Sequence, residues 1–320
     1  MFNKLNSKTL LIVFAILLIV VLLIKFFESR KGERTFKSEI TSFDIEDVTS
    51  VSVITKGEAD KKLSLYIDGE EWKAEKEGET YNADATKIDN LLAELIKLKP
   101  ERVAATTKEK WGDFEVIDSL SVRIIVKKES KVLADLHIGK FSYQNPTSPY
   151  ERQGKMTSYV RAANDDITYA VNGFLRMTFN SDINGYRNNK LCVSSVSDLT
   201  KLIFNYPADS SFTLTKQNDK WMVNGLLADS AKVVKYLGSI ANLTSSNFIN
   251  NEPTAMLQPS HVLKIEGNNM AAPIEISAIP ADSTNQYLII SSLNKGTLFS
   301  GAKGGLFKKV FKGEDSFFEN

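Results

Sequence analysis

The sequence predicts an α+β chain in which an N-terminal transmembrane helix precedes two tandem homologous modules, each of antiparallel strands with one main packed helix. Three observations predict it. An uninterrupted apolar run begins at Thr9, period-two segments are broken once per half by a capped amphipathic helix, and the whole order recurs about 150 residues later.

The apolar run TLLIVFAILLIVVLLI extends from Thr9 to Ile24, and Phe26 and Phe27 carry it past Lys25, whose stem can snorkel. Residues 9–27 are long enough to cross a hydrocarbon core of about 30 Å, and each central Leu, Ile, Val or Phe favours insertion by roughly 0.3 to 0.6 kcal/mol. Cleavage as a signal peptide is the rival reading. The run is long for that, and ESRKGER stands where a small-residue cleavage site belongs, so an uncleaved anchor is expected. Lys4 and Lys8 flank the short side and Lys25, Arg30, Lys31, Arg34 and Lys37 the other, a count that favours keeping the large domain inside; large domains also translocate regardless of charge.

Residues 1–8 then form a short tail, 28–46 a polar stalk, 47–190 the first module and 191–320 the second. VTSVSVIT from Val48, KLSLYI from Lys62 and EWKAE around Trp72 alternate as half-buried strands do. Asp84 stands at an N-cap position, with Ile88, Leu91, Leu92, Leu95 and Leu98 forming an apolar stripe before Pro100. Further strands follow in SVRIIVKK from Ser121, VLADLHIG from Val132, SYVRA from Ser158 and ITYAV from Ile167, then the aromatic segment GFLRMTF from Gly173.

The second half repeats this order. Asp47 matches Asp198 (198 − 47 = 151), Trp72 matches Trp221 (221 − 72 = 149) and Asp84 matches Asp229 (229 − 84 = 145). From the caps the helices align without a gap, Lys87 on Lys232 through Leu98 on Leu243. SVRII falls on HVLKI from His261, SYVRA on QYLII from Gln286, and GFLRMTF on GLFKKVF from Gly305. A tryptophan written twice at the same place reads as module core, burying on the order of 150 to 250 Å² each, rather than as two ligand platforms. The copies disagree at the spacer EKEGETYN, Glu75 to Asn82, and at the loop YQNPTSPYERQGK, Tyr143 to Lys155, and function is to be sought at such places.

Composition narrows the classes. The 320 residues are 42% hydrophobic and 25% charged, with a formal net charge of +1 and charges mixed along the chain, which speaks for globular modules and against nucleic acid as partner. Cys192 is the single cysteine, so neither an internal disulfide nor a CxxC metal knuckle exists. His137 and His261 lie in separate predicted strands without ligand spacing. GTLFSGAK, Gly296 to Lys303, brushes the Walker pattern but has alanine at the lysine position. Asp165 and Asp166 in ANDDITY suit a hairpin turn, Cys192 a small buried residue, and GAKGGLFKKVFKG a basic amphipathic helix docked on the surface. No catalytic, cofactor-binding or metal-ligating set emerges, and no cofactor is expected.

The anchor and charged stalk, GEEW before the helix, LHIGK from Leu136, SYVRA followed by TYAV, and the RNNKL tail from Arg187 together resemble the bacterial domain-of-unknown-function family 4340. The chain departs from that pattern at DFEVIDSL, where Phe114 and Val116 replace Gly and Leu, and at AMLQPS in the second copy. The resemblance implies a single-span inner-membrane protein with its soluble part on the periplasmic side, accompanying ABC-type transport systems like those of gliding motility. It implies no catalytic residues. The expected function is therefore a membrane-anchored, non-enzymatic accessory or binding protein of a transport complex, touching lipid through residues 9–27 and transporter subunits elsewhere. Two alternatives stay open: an exported enzyme or carbohydrate-binding module with a groove between the copies, and a structural envelope scaffold.

Overall fold

The computed structural model describes residues 17–18, 39–55, 61–146, 154–250, 258–281 and 287–319. The expected span at 9–27 lies outside the described residues apart from Leu17 and Leu18, which are helical and exposed. Among the described residues no helix is long and apolar enough to cross a membrane.

The chain is predominantly β, which corrects the α+β expectation. Strands β1 (Ser50–Ile54), β2 (Leu63–Asp68), β3 (Glu71–Lys76), β4 (Glu79–Asn82), β5 (Pro100–Ala105), β6 (Val122–Lys128), β7 (Lys131–Gln144), β8 (Lys155–Ala162) and β9 (Thr168–Asn172) form one antiparallel sheet ordered β4-β3-β2-β1-β6-β7-β8-β9-β5. Strands β10 (Leu199–Asn205), β11 (Phe212–Gln217), β12 (Lys220–Val223), β13 (Leu226–Leu227), β14 (Phe248–Ile249), β15 (His261–Gly267), β16 (Ile274–Pro280), β17 (Tyr287–Ser291) and β18 (Leu298–Ser300) form a second, ordered β13-β12-β11-β10-β15-β16-β17-β18-β14. The two orders are the same topology written twice, so the halves are repeat-like in structure as in sequence. Each carries one helix of about three turns, α1 (Ala85–Ile96) in the first half and α3 (Ser230–Ile240) in the second, and one shorter helix, α2 (Leu175–Thr178) or α4 (Leu306–Val310).

The two end strands of each sheet, β4 and β5 in the first half and β13 and β14 in the second, have no counterpart in the period-two reading, and the reason is physical. β4, β5, β13 and β14 all lie at sheet ends, and none of them buries one face against an exposed other face residue by residue, so there is no alternation to detect. β5 opens on Pro100, tolerated because an edge strand need not donate at every residue.

By contact, the chain divides into two compact units, the described residues of Met1–Lys62 with Asp89–Ser181, and Leu63–Ile88 with Asp182–Asn320. In the first unit the end of the expected stalk is docked: the Thr41 hydroxyl donates to Leu95 O at 2.9 Å and Ile40 N to Leu98 O at 3.4 Å. Helix α1 buries Ile88, Leu91, Leu92 and Leu95, the stripe its spacing demands. In the second unit α3 buries Val233, Tyr236, Leu237 and Ile240 in a core with Trp221, Phe204 and Phe212; the last two rings stack at 4.2 Å. Trp221 is thus a core residue as expected, whereas Trp72 is only half-buried.

Both caps form. Asp229 accepts from Ala231 N at 2.8 Å and Lys232 N at 3.1 Å, and Asp84 accepts from Thr86 N at 3.1 Å. Each cap also holds a returning tail: Asp84 N donates to Tyr186 O and Asp229 N to Phe317 O, both at 2.8 Å. Asp84 adds an ion pair with Lys190 at 2.9 Å while itself 6% exposed. Asp229→Ala is therefore expected to cost about 1 kcal/mol, and Asp84→Ala about 2 kcal/mol because Lys190 also loses its partner. Urea unfolding of the two variants checks this order; equal losses would count against it.

Candidate functional site

A cavity bordered by polar and aromatic groups is built in part by two stretches that sequence reading singled out without joining them, the spacer EKEGETYN and the RNNKL tail. β4 carries Glu79 and Tyr81 from the spacer. The tail is laid beside it: Arg187 forms a β-bridge with Ala83, Asn188 N donates to Asn82 O at 2.8 Å, and Lys87 Nζ donates to Arg187 O at 2.9 Å. A 3-10 turn at Ile183–Gly185, capped by the Asp182 side chain accepting from Asn184 N, brings the chain into that position.

Arg187 is 2% exposed, among the largest fully buried side chains of the protein. Its guanidinium carbon lies 3.6 Å from the centroid of Tyr81 and 3.9 Å from that of Phe248. Nη1 donates to Asn250 Oδ1 at 2.9 Å and Asn184 Oδ1 at 3.2 Å, while Nε has no hydrogen-bond partner among the described residues. Burial lowers its pKa, and Tyr81 works in the opposite direction. No carboxylate pairs with it among the described residues; two π faces and two amide oxygens hold the cation instead.

Arg187 and Tyr81 line a cavity of about 680 Å³. Glu79, Glu275 and Lys295 bring charges to it and Ile279 an apolar wall, and all of these residues belong to the second compact unit. Ser277 Oγ orients the Glu275 carboxylate at 3.4 Å. The arrangement can take a small ligand that offers both hydrogen-bond donors and an apolar or ring face. Sequence reasoning missed Arg187 as a site residue because Phe248 and Asn250 reach it only through the fold; the signal available was the divergence of EKEGETYN between the copies.

The other residues weighed in the sequence have structural places. His137 is buried on β7 with Nδ1 2.9 Å from Ser121 Oγ and Nε2 3.6 Å from Asp118 Oδ1. The trio has the composition of a hydrolytic triad, but Ser121 is 1% exposed and cannot meet a substrate, while the Asp118 side chain is 80% exposed. Burial, with the Arg161 cation second, pushes the His137 pKa down to about 4, against the pull of Asp118. In the unfolded chain the imidazole titrates near 6.5, so between those values the unfolded state binds the proton first. The stability this residue supports is full above about pH 6.5 and is lost as pH falls toward 4. About 2 kcal/mol should disappear between pH 7 and pH 5, and His137→Gln should remove that component. Denaturation at both pH values checks it; parallel losses in wild type and variant would contradict it.

Arg161 is spent on structure, its guanidinium 3.8 Å over Trp111 and its Nε and Nη2 donating to Val116 O. Cys192 is fully buried, and burial pushes its thiol up to about 11, unsuited to a nucleophile. Asp165 and Asp166 lie in the β8–β9 turn as expected, with Asp165 accepting from Ile167 N. His261 packs among Tyr206, Phe307 and Phe311. GTLFSGAK forms β18 and the turn after it, and α4 docks through Leu306 and Val310. Among the described residues no group of three or more His, Cys, Asp or Glu is placed to hold a metal ion.

The family model described as "Domain of unknown function (DUF4340)" matches residues 72–260, which includes β4, Arg187 and Phe248. No curated protein and no solved structure matches the chain.

Proposed function

The chain belongs to the DUF4340 family, and on that premise we propose that it is a membrane-anchored, non-enzymatic binding and accessory protein of a bacterial ABC-type transport complex. The observation that carries the binding role is the cavity around Arg187, where a buried cation clamped between Tyr81 and Phe248 adjoins about 680 Å³ of space bordered by Glu79 and Glu275. The apolar run at 9–27 supports single-pass anchoring in the inner membrane, and the family pattern supports a soluble part on the periplasmic side, next to transporter subunits.

The mix of carboxylates, a tyrosine and hydrogen-bonding side chains around the same cavity favours a second reading, a carbohydrate-binding module. One experiment tests both. The full chain is purified in a neutral detergent, denatured, and the released small molecules are identified by mass spectrometry beside those from Arg187→Met. A polar solute carried by wild type and lost from the variant is expected, and a sugar among them selects the second reading. Identical extracts from both proteins would remove the cavity from the functional account.

A further inference from the structure

A second concavity of the Leu63–Ile88 and Asp182–Asn320 unit, independent of the Arg187 cavity, has a different chemistry. Helix α3 and the segment from α4 to Phe317 border a depression of about 560 Å³ lined by five lysines, Lys232, Lys235, Lys308, Lys309 and Lys312. Among the described residues lining it there is no Asp or Glu. In a chain with 40 basic and 39 acidic side chains, five cations around one hollow without a lining carboxylate depart from the general mixing of charge. Glu314, adjacent in sequence, accepts instead from Asn224 Nδ2 at 3.1 Å.

The walls are fixed. Tyr236 donates from its hydroxyl to Val310 O, Lys232 Nζ donates to Phe318 O, and Phe317 is fully buried beneath. Lys235, Lys308 and Lys309 remain exposed, and the Ser239 and Ser316 hydroxyls border the same hollow. Like charges held together on a rigid floor focus a positive potential, which an anion with several acceptor oxygens relieves.

The duplication supplies an internal comparison. At the offsets of the helix cap (229 − 84 = 145) and of the last aromatic segment (305 − 173 = 132), Lys235, Lys309 and Lys312 fall on Asn90, Met177 and Asn180, and Ser239 falls on Glu94. Lys308 falls on Arg176, which is neutralised by Glu115 at 2.9 Å. Packing of the module therefore does not require Lys235, Lys309 or Lys312, since the first copy builds the same topology with uncharged residues there; Lys232 keeps a lysine counterpart, Lys87.

We infer that this depression is a binding site for a phosphate-bearing anion, held by Lys235, Lys308 and Lys309 with Lys232, Lys312 and the two serine hydroxyls completing the shell. A phosphate group meets it either on a soluble compound or on a phospholipid headgroup, and the test separates the two. The full chain in neutral detergent is titrated calorimetrically with inorganic pyrophosphate, and separately with mixed micelles carrying phosphatidylglycerol or phosphatidylcholine. Saturable binding of pyrophosphate assigns a soluble ligand; binding of phosphatidylglycerol micelles alone assigns a headgroup.

In either case Lys235→Gln/Lys308→Gln/Lys309→Gln is expected to weaken binding at least about tenfold, as is raising the salt from about 50 to about 300 mM. The three corresponding Lys→Arg changes should retain binding, which distinguishes lost charge from a disturbed fold. No binding in any arm, or unchanged affinity in the glutamine variant, overturns the inference.

Discussion

Arg187→Ala is expected to destabilise the protein by about 4 kcal/mol, the largest loss of any single truncation near the candidate site. The side chain is 2% exposed and fills the space between Tyr81 and Phe248, so truncation leaves a void between two rings. It also strands the Asn250 and Asn184 side-chain oxygens that accept from Nη1. Desolvation of the cation offsets part of its worth in the native state, and for that reason Arg187→Met should be milder, about 2 kcal/mol: the methionine refills most of the volume without a charge to bury. The pair separates structure from binding. Urea unfolding should rank wild type above Met above Ala, and an Ala variant as stable as wild type would mean that the rings do not depend on the cation between them.

Gly139→Ala is expected to cost about 3 kcal/mol. A methyl group there would stand 2.0 Å from the Phe114 carbonyl oxygen and 2.7 Å from Val116 Cγ1. The first contact is with backbone that cannot move freely, because Phe114 O accepts from Lys140 N at 3.0 Å, and the β7–β8 register shifts between Ile138 and Phe141 at the same place. This gives the glycine of LHIGK a physical reason: the DFEVIDSL turn packs its backbone onto β7 here. Gly112→Ala is the control, since nothing lies within 4 Å of the added methyl, and should stay within about 0.5 kcal/mol. Equal unfolding midpoints for the two variants would contradict the close approach.

What could be read from the sequence was what periodicity encodes. The stripe from Ile88 to Leu95 and its counterpart from Val233 to Ile240 are buried as their spacing requires, and both Asp caps form because an aspartate before an apolar helical run has one economical use. The duplication was legible for the same reason, and the shared strand order shows it in three dimensions. Less was legible where tertiary context decides. Trp72 and Trp221 occupy equivalent places, yet only Trp221 enters a core; Trp72 borders a hollow with Asn82, Leu293 and Lys295. The weight of β-structure was underestimated because edge strands such as β4 and β14 carry no alternation.

The candidate site was half legible. Disagreement between the copies at EKEGETYN pointed to the segment that bears Glu79 and Tyr81, and the RNNKL tail contained Arg187. Nothing in the local sequence joins Tyr81 to Arg187 or either to Phe248, because a guanidinium clamped by rings far apart along the chain is a product of strand order. The five lysines of the second hollow were visible in part, as the basic helix GLFKKVF, but their convergence with Lys232 and Lys235 on α3 required the packing of the returning tail.

Affinity purification of the full chain from its native membrane in a mild detergent, with the recovered partners identified by mass spectrometry, tests the central claim most directly. The account predicts that the membrane or auxiliary subunits of an ABC-type transporter copurify in fixed proportion and are absent when a single-span control protein is used as bait. Recovery of the chain alone, under conditions where a known transporter complex from the same membrane stays intact, would contradict it.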